Sequence, residues 1–390
     1  MSTRLLITGA AGYVGRRVVQ LAAGAGYAHM VRTHHRTIPE AQLAGTAYAM
    51  DLCDAAQVAA CFDAVQPQVV IHAACSNRSE AAIVPSTENI ARAAAAAGAR
   101  LVHISSDTVH DGEHAPYAED ATTDPCNNYG RAKVAAEQAV RSLCPAAVVV
   151  RTSLVFGIDP LDHQTRWVVN DANSGKLVRL FTDEWRSPTW VDTLAYALLE
   201  LGNLNYSGVL NVASPLALRR WDFGMLMFDL LRITPGPNVQ RALLRDSGME
   251  RARDLTLDVS RAQALLRTPL LTPQQSRTNS NAQLAKPGAA QRGLDARARA
   301  ITILSRGAVA ESADAADLKS AVHWTCGFES HLPHFLQSAA IHAVRRTLAA
   351  RFSHPCSRSP KRCSGGSLSY SIRAGSRRCA PCPRSLRLQP

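Results

Sequence analysis

Long apolar stretches are absent from this sequence. No uninterrupted apolar run approaches the roughly 20 residues of a membrane-spanning helix. The segment RLLITGAAGYVG near the N-terminus is typical of a strand followed by a Gly-rich turn, and it lacks the cleavage pattern of a secretory signal peptide. We therefore expect a water-soluble, cytoplasmic protein with no membrane partner.

Cysteine spacings typical of metal sites are also lacking. The first 150 residues contain an odd number of scattered cysteines, which fits reduced structural thiols better than a disulfide framework. Further along, CAPC is one Cys-x-x-Cys pair, but the neighbouring cysteines do not complete the spacing of a zinc module. We expect no metal site. The early cysteines are Cys53, Cys61, Cys75, Cys126 and Cys144.

A basic excess is absent from the first 272 residues, although the whole chain carries a formal charge of +12 at pH 7. Residues 273–390 contain 18 basic and 5 acidic residues, which leaves 25 basic and 26 acidic residues for the rest. Since this segment has no aromatic interleaving and no recognisable module, it predicts no specific nucleic-acid partner. Its Ser, Arg, Ala and Pro content is typical of disorder. It is either a genuine extension or a GC-rich coding segment translated out of frame.

Short apolar runs alternate with Ala-rich helical stretches from residue 4 to about residue 150. QVVIHAA and RLVHISS predict strands, and STENIARAAAAAGA predicts a helix between them. Such alternation indicates right-handed βαβ crossovers and a parallel sheet covered on both faces. The predicted fold class is α/β. It comprises a Rossmann-type dinucleotide-binding domain with a doubly wound parallel sheet at 1–157, a smaller mixed substrate-binding lobe at 158–272, and a low-order extension at 273–390.

Three glycines follow the first predicted strand in the spacing G-x-x-G-x-x-G. Gly9 permits a tight turn, Gly12 lets the backbone approach a pyrophosphate, and Gly15 allows helix and strand to pack closely. Tyr13 and Val14 lead into the next helix, whose N-terminal N–H groups suit phosphates. Glycines alone could serve a plain tight turn, but their place at the first strand-to-helix junction predicts a dinucleotide site.

The second predicted strand ends in basic residues, where an NAD-specific Rossmann protein has an acidic residue that holds the ribose hydroxyls. The guanidinium of Arg32 suits a 2′-phosphate, which favours NADPH over NADH, whereas a merely solvated basic loop would leave the choice open. Further cofactor contacts are predicted near the adenine and at the next strand end. They are Asp51, Leu52, Ala73 and Ala74.

Tyr129 and Lys133 lie four positions apart in NNYGRAKVAAEQAV, so a helix would place them on one face. A phenol with its usual pKa of about 10 is neutral near pH 7, and a nearby ammonium lowers that pKa and makes the phenol a competent acid or base. The spacing alone also occurs on ordinary surface helices. Two further features favour the catalytic interpretation: Ser105 and Ser106 could bind a substrate carbonyl, and Asn89 could hold a water in a proton relay.

The segments TGAAGYVG, HISSD and YGRAK resemble the extended short-chain dehydrogenase/reductase superfamily. Within it, the sequence is most similar to the dTDP-4-dehydrorhamnose reductase family, over roughly residues 3–270. The resemblance implies a dinucleotide fold with a sugar-nucleotide lobe, and reduction of the 4-keto group of a deoxythymidine diphosphate sugar by NAD(P)H. It also implies that Tyr129 donates the proton, that Lys133 holds the nicotinamide ribose, and that Ser106 with Asp107 contacts the sugar.

Three positions depart from the family pattern. Aromatic residues expected there are replaced by Thr108, His110 and Leu154. Since these changes remove aromatic contacts to the usual hexose, the identity of the sugar does not follow from the resemblance. Arg186 suits either a diphosphate, reached from the second lobe, or a solvated surface position.

Three functions are therefore compatible with the sequence. The first is an NADPH-preferring reductase of a nucleotide-sugar ketone, with NADH as the alternative cofactor. The second is an epimerase or dehydratase of the same fold that keeps NAD tightly bound. The third is a non-catalytic regulatory protein that binds a sugar nucleotide. The expected partner is a nucleotide sugar, and a homodimer is compatible with the sequence.

Overall fold

A computed structural model describes residues 3–35, 43–75 and 80–276, all within one unit of the chain, Met1–Gly307. Apart from residues 273–276, the predicted extension at 273–390 lies outside the described residues. Among the described helices, none combines the length and the apolar character needed to cross a bilayer. The strands are β1 (Arg4–Thr8), β2 (His29–His34), β3 (Thr46–Ala49), β4 (Val69–His72), β5 (Arg100–Ile104), β6 (Val148–Arg151), β7 (Val155–Phe156), β8 (Val178–Phe181), β9 (Trp185–Arg186), β10 (Thr189–Trp190), β11 (Gly208–Asn211), β12 (Leu218–Arg219) and β13 (Val239–Ala242). The helices are α1 (Tyr13–Ala22), α2 (Ala55–Val65), α3 (Glu80–Ala96), α4 (Asn128–Leu143), α5 (His163–Asn173), α6 (Val191–Leu201), α7 (Arg220–Leu230) and α8 (Ser260–Leu265).

One parallel sheet dominates the fold, with the strand order β3-β2-β1-β4-β5-β6-β11. The chain runs outward from β1 through β2 and β3 and then returns to β4 on the other side of β1. The topological switch point therefore lies between β1 and β4, and open α/β sheets bind ligands beyond the carboxyl ends of their strands at such a point. The Rossmann-type fold predicted from the alternating runs is confirmed.

Both faces of the sheet are buried. Successive side chains of a strand point to opposite faces, so Leu5 and Ile7 pack with α1 and α6, whereas Leu6 packs with α2, α3 and α4. All three leucine and isoleucine side chains are fully buried. Burial on both sides explains why the strands read as continuous apolar runs rather than as an alternating pattern.

The other strands form small two-stranded sheets. β7 pairs with β10 and β8 with β13 in parallel, while β9 and β12 are antiparallel. The apolar side chains of α5 and α7 pack against these strands. This arrangement has the mixed character predicted for residues 158–272. The division into domains at residue 157 stays a prediction, since β11 comes from the later part of the chain and pairs with β6 of the large sheet.

Candidate active site

The predicted glycine turn connects β1 to α1 at the switch point. Gly9 has a φ of +68°, and a Cβ there would fall 2.6 Å from the Cα of Ala74. A Cβ on Gly15 would fall 2.2 Å from the carbonyl oxygen of Gly9. Within the described residues, no side chain caps the start of α1, so the first N–H groups of the helix are left for a ligand. This uncapped turn of glycines and alanines, with Ala73 and Ala74 beside it, fits the pyrophosphate of a dinucleotide.

Tyr13 joins the glycine turn to the segment that follows β7. Its phenol donates a hydrogen bond of 3.1 Å to the carbonyl oxygen of Pro160, and burial raises the pKa of Tyr13. Its neighbour Val14 packs against the core on the α1 side of the sheet. A side chain on Gly157 would collide with the Tyr13 hydroxyl, since a Cβ there would lie 2.2 Å away. Tyr13 is therefore held by the segment that leads into the smaller sheets.

Arg32 lies within β2 rather than at its end, because Thr33 and His34 continue the strand. Its side chain is buried, and Nε donates a hydrogen bond of 3.2 Å to the carbonyl oxygen of Gly45. The sequence predicts Arg32 at the end of the second strand. In the structure its side chain is instead buried within the strand, two residues before the strand ends. Its contact with a 2′-phosphate stays a prediction.

The predicted adenine side is formed by the segment after β3. Asp51 Oδ1 accepts a hydrogen bond of 3.0 Å from the Cys53 N–H, and Oδ2 lies 3.8 Å from His35 Nε2. The carbonyl oxygen of Leu52 accepts a hydrogen bond of 3.0 Å from Asn89 Nδ2 on α3. This bond ties Asn89 to the adenine side, and its part in a proton relay stays a prediction.

The first turn of α4 lies against the turn that follows β5. The side chain of Asn127 caps the helix by accepting a hydrogen bond of 2.9 Å from the Gly130 N–H. A Cβ on Gly130 would fall 2.2 Å from the carbonyl oxygen of Thr108. Because Gly130 has no side chain, the helical turn that carries Tyr129 can approach the end of β5.

Tyr129 and Lys133 share one face of α4, as residues four apart on a helix do. Lys133 is only 3% exposed, and Nζ donates a hydrogen bond of 2.6 Å to the carbonyl oxygen of Ile104, the last residue of β5. Burial lowers the pKa of Lys133, while Cys75 and Glu137 act in the opposite direction. Tyr129 is half-buried against apolar side chains of α3 and α4.

Ser106 and Asp107 begin the turn after β5, where substrate contacts were predicted. Ser106 Oγ donates a hydrogen bond of 3.1 Å to Asp107 Oδ1. Asp107 is buried, and its Oδ2 accepts a hydrogen bond of 2.6 Å from Ser153 Oγ and lies 3.8 Å from Arg186 Nε. Burial raises the pKa of Asp107, and Arg186 opposes this shift. Arg186 is itself buried and pairs at 3.0 Å with Glu184, so it is not a solvated surface residue.

Sequence reasoning missed a buried network beside the site. Ser105, predicted as a substrate contact, donates its hydroxyl hydrogen to Glu137 Oε1. Arg151 donates to the same carboxylate from Nη2 at 2.8 Å and from Nε at 3.1 Å. A signal for Glu137 was available, because it lies four residues beyond Lys133 and eight beyond Tyr129 on the same helical face. Arg151 ends a strand of buried valines, which is also unusual for a charged side chain.

Two departures from the family pattern, His110 and Leu154, pack against neighbouring side chains. His110 is buried, its ring stacks on Tyr117 with the centroids 4.0 Å apart, and its Nδ1 donates to the Thr122 carbonyl oxygen at 3.1 Å. Burial lowers the pKa of His110 to about 4. Leu154 packs against the apolar cluster that contains Phe156.

A family assignment follows from comparison with known proteins. The sequence matches the RmlD substrate binding domain family over residues 3–279. The chain belongs to this family. The match spans the glycine turn, α4 and the smaller sheets, and it confirms the resemblance inferred from TGAAGYVG, HISSD and YGRAK.

Curated relatives of this chain include proteins named as reductases and proteins named as a subunit of another enzyme. A dTDP-4-keto-6-deoxy-D-glucose reductase of Streptomyces niveus is 34% identical over an alignment of 248 residues, which covers 60% of this chain and 81% of that protein. Methionine adenosyltransferase 2 subunit beta of Xenopus tropicalis is 32% identical over an alignment of 211 residues, which covers 51% of this chain and 61% of that protein. Among solved structures, dTDP-4-dehydrorhamnose reductase from Bacillus anthracis in complex with NADP has the same fold. It gives a TM-score of 0.60 at 21% identity and covers 72% of this chain and 98% of that chain.

Proposed function

We propose that this protein is an NAD(P)H-dependent oxidoreductase that reduces a keto group on a nucleotide-activated sugar. NADPH is the preferred cofactor and NADH the alternative. The relative in Streptomyces niveus, whose name gives it this kind of activity, supports the proposal. The NADP complex of a structure with the same fold supports the cofactor.

One observation carries the proposal: the Lys133 ammonium is buried and fixed on the Ile104 carbonyl oxygen at the carboxyl end of β5. Ile104 lies two residues before Ser106, whose hydroxyl is predicted to contact the substrate, while the Ser105 hydroxyl between them donates to Glu137. The glycine turn lies at the carboxyl end of β1, and only β4 separates β1 from β5 in the sheet. The glycine turn, the Lys133 ammonium and the Ser106 hydroxyl therefore lie at the same edge of the sheet.

In the proposed reaction the cofactor supplies the hydride and the protein supplies the proton. A reduced nicotinamide, when bound, supplies the hydride that the carbonyl carbon receives. On the chain, the Tyr129 hydroxyl protonates the carbonyl oxygen, and Ser106 Oγ orients that oxygen by a hydrogen bond. The Lys133 charge favours the phenolate that Tyr129 leaves behind, which makes the proton transfer easier. The backbone around Gly9, Gly12 and Gly15 would hold the pyrophosphate of the cofactor.

The proposal is tested by mixing the full chain with NADPH and a panel of dTDP- and UDP-linked 4-keto sugars and following the absorbance of NADPH. We expect NADPH loss that matches the amount of hydroxy sugar formed. Tyr129→Phe should lower kcat by at least about a hundredfold, the usual worth of a general acid. Tyr196→Phe changes an exposed tyrosine on α6 and serves as the matched control.

Full activity of Tyr129→Phe would contradict the assignment of the acid. If the purified protein instead carries tightly bound NAD and interconverts sugar nucleotides without consuming NADPH, it is an epimerase or dehydratase rather than a reductase.

A second candidate function is that of a non-catalytic subunit that binds a sugar nucleotide or a dinucleotide. The relative named as the beta subunit of methionine adenosyltransferase 2 favours it, as does the replacement of an expected pocket aromatic by Leu154. This candidate predicts a rise in Tm when nucleotide sugars or NADPH are added, together with no turnover of any keto sugar on the panel.

A further inference from the structure

Glu137 lies on the same face of α4 as Tyr129 and Lys133, and the reaction proposed above leaves it without a part. We propose that Glu137 is a positioning residue that fixes α4 against the ends of β5 and β6 and places a carboxylate one helical turn from Lys133. This inference rests on the proposed reductase function, because it concerns the residues assigned there to proton transfer.

The first argument is the geometry of the carboxylate. The Glu137 side chain is 4% exposed, and that of Arg151, at the end of β6, is 3% exposed. Arg151 holds both carboxylate oxygens, through Nη2–Oε2 at 2.8 Å and Nε–Oε1 at 3.1 Å. Ser105 donates to Oε1 from the other side, just beyond β5. One buried carboxylate therefore joins a helix to the ends of two strands.

The second argument is the pairing of anchors along α4. Lys133 Nζ donates to the carbonyl oxygen of Ile104 at 2.6 Å, and one turn later Glu137 accepts from Ser105. Two successive turns of the helix thus hold two successive residues at the end of β5. Two anchors one turn apart restrict rotation and axial sliding of the helix more than either anchor alone. Tyr129, one turn before Lys133, is placed by the same constraint.

The third argument is electrostatic. Lys133 is buried, and burial alone favours the neutral amine. Among the described residues, Cys75 and Glu137 favour the ammonium, while His72 on β4 and His103 on β5 are themselves kept neutral by burial and by the charge of Lys133. Among the described residues, the ionisable groups that act on Lys133 or share its helical face are His72 and Cys75, on and after β4, His103 on β5, and Tyr129 and Glu137 on α4, while Arg151 on β6 pairs with Glu137.

The experiment uses the full chain and the variant Glu137→Gln, which keeps the size of the side chain and removes its charge. We expect kcat to fall about tenfold to a hundredfold through misplacement of the reacting groups, with little change in KM for the sugar nucleotide. We also expect the alkaline limb of the kcat profile to move to lower pH, because Lys133 then loses its proton more readily. A role confined to stability would leave that limb where it is.

A second measurement does not depend on turnover. The chain contains five lysines, Lys133, Lys176, Lys286, Lys319 and Lys361, so labelling with 13Cε-lysine gives a small set of NMR signals, and Lys133→Arg assigns the one of interest. The pKa of Lys133 should be lower in Glu137→Gln than in the parent. Glu88→Gln, on the exposed face of α3, is the matched control and should change neither the pKa nor kcat.

Ser105→Ala guards against a Glu137 variant that does not fold, because it keeps the ion pair with Arg151 and removes only the link to β5. It should lower kcat by about tenfold and speed hydrogen exchange in the first turns of α4. Unchanged kcat in Ser105→Ala, or an unchanged Lys133 pKa in folded Glu137→Gln, overturns the inference. Absence of turnover in the parent overturns the reductase function instead, and the NMR titration still decides the role of Glu137.

Discussion

The backbone of Gly130 touches the carbonyl group of Thr108 so closely that a Cβ on the glycine would fall 2.2 Å from the oxygen. The same Cβ would fall 2.6 Å from Cβ of Pro125. Both obstacles are parts of the chain that cannot rotate away. The approach of α4 to the turn after β5 therefore depends on the missing side chain, and so does the height of Tyr129 above the sheet.

Gly130→Ala should push the first turn of α4 away from the turn after β5. We expect a loss of about 1–3 kcal/mol in the free energy of unfolding, as for other overpacked sites, and a fall in kcat that exceeds the change in KM. Urea unfolding and steady-state kinetics measure the two effects. Gly24→Ala is the matched control, because its Cβ would meet nothing closer than 3.5 Å. Equal effects in both variants would show that the contact with Thr108 has no special role.

The stability of the protein should fall as the pH falls below the usual histidine range. Burial, with the charge of Lys133, lowers the pKa of His72 from 6.5 to about 3. The unfolded chain therefore takes up a proton below about pH 6.5 that the folded chain refuses until about pH 3. This lowers the free energy of unfolding by about 1.4 kcal/mol for each pH unit in that window, and His103 acts in the same direction.

His72→Asn removes one of these protons and should flatten the pH dependence. The amide can still reach Thr8, whose hydroxyl lies 2.7 Å from His72 Nδ1. Urea unfolding of parent and variant at several pH values between neutrality and about pH 5 gives the two slopes. Parallel slopes would contradict the view that His72 stays neutral in the folded chain.

Arg32→Gln tests the choice of cofactor. If Arg32 binds the 2′-phosphate, KM for NADPH should rise about tenfold, the worth of one charge-assisted hydrogen bond, and KM for NADH should stay the same. Arg4→Gln is a suitable control, because Arg4 Nε also donates to a backbone carbonyl oxygen, that of Gln66, at 2.7 Å. Equal changes for the two cofactors would instead assign Arg32 to holding Gly45.

Arg186→Met tests whether Arg186 contacts the substrate. Arg186 and Arg251 both pair with the buried Glu184, at 3.0 Å and 2.7 Å. Removing either arginine takes one cationic partner away from buried Glu184. Of the two arginines, Arg186 alone also lies beside Asp107. We expect KM for the sugar nucleotide to rise about tenfold in Arg186→Met and to hold steady in Arg251→Met. If Arg186→Met and Arg251→Met have similar kinetics and lose the same amount of Tm, Arg186 has only a structural role.

The parts of this molecule that sequence reasoning could reach are those that depend on local pattern. Apolar runs between helical stretches predicted the sheet, and the spacing of Tyr129 and Lys133 predicted their shared face. Hydrogen bonds and ion pairs between residues that are far apart in the sequence could not be predicted from local pattern. Ser105 and Arg151 approach Glu137 from 32 and 14 residues away, and only the register of β5, β6 and α4 brings them together. The sequence also does not show that β2 continues through Thr33 to His34, so the position of Arg32 inside the strand could not be predicted.

The pairing of β11 with β6 has a consequence for protein engineering. β11 lines β6 from Gly208 beside Val148 to Asn211 beside Arg151, so a polypeptide ending after residue 157 would leave one edge of β6 open to aggregation. A chimera of two relatives that is designed to change the sugar preference should therefore exchange the segments before and after β11 and keep the strand itself. Segments that determine the sugar preference can be exchanged between relatives. Residues 1–157 and the later part of the chain cannot be separated, because they share this strand pairing.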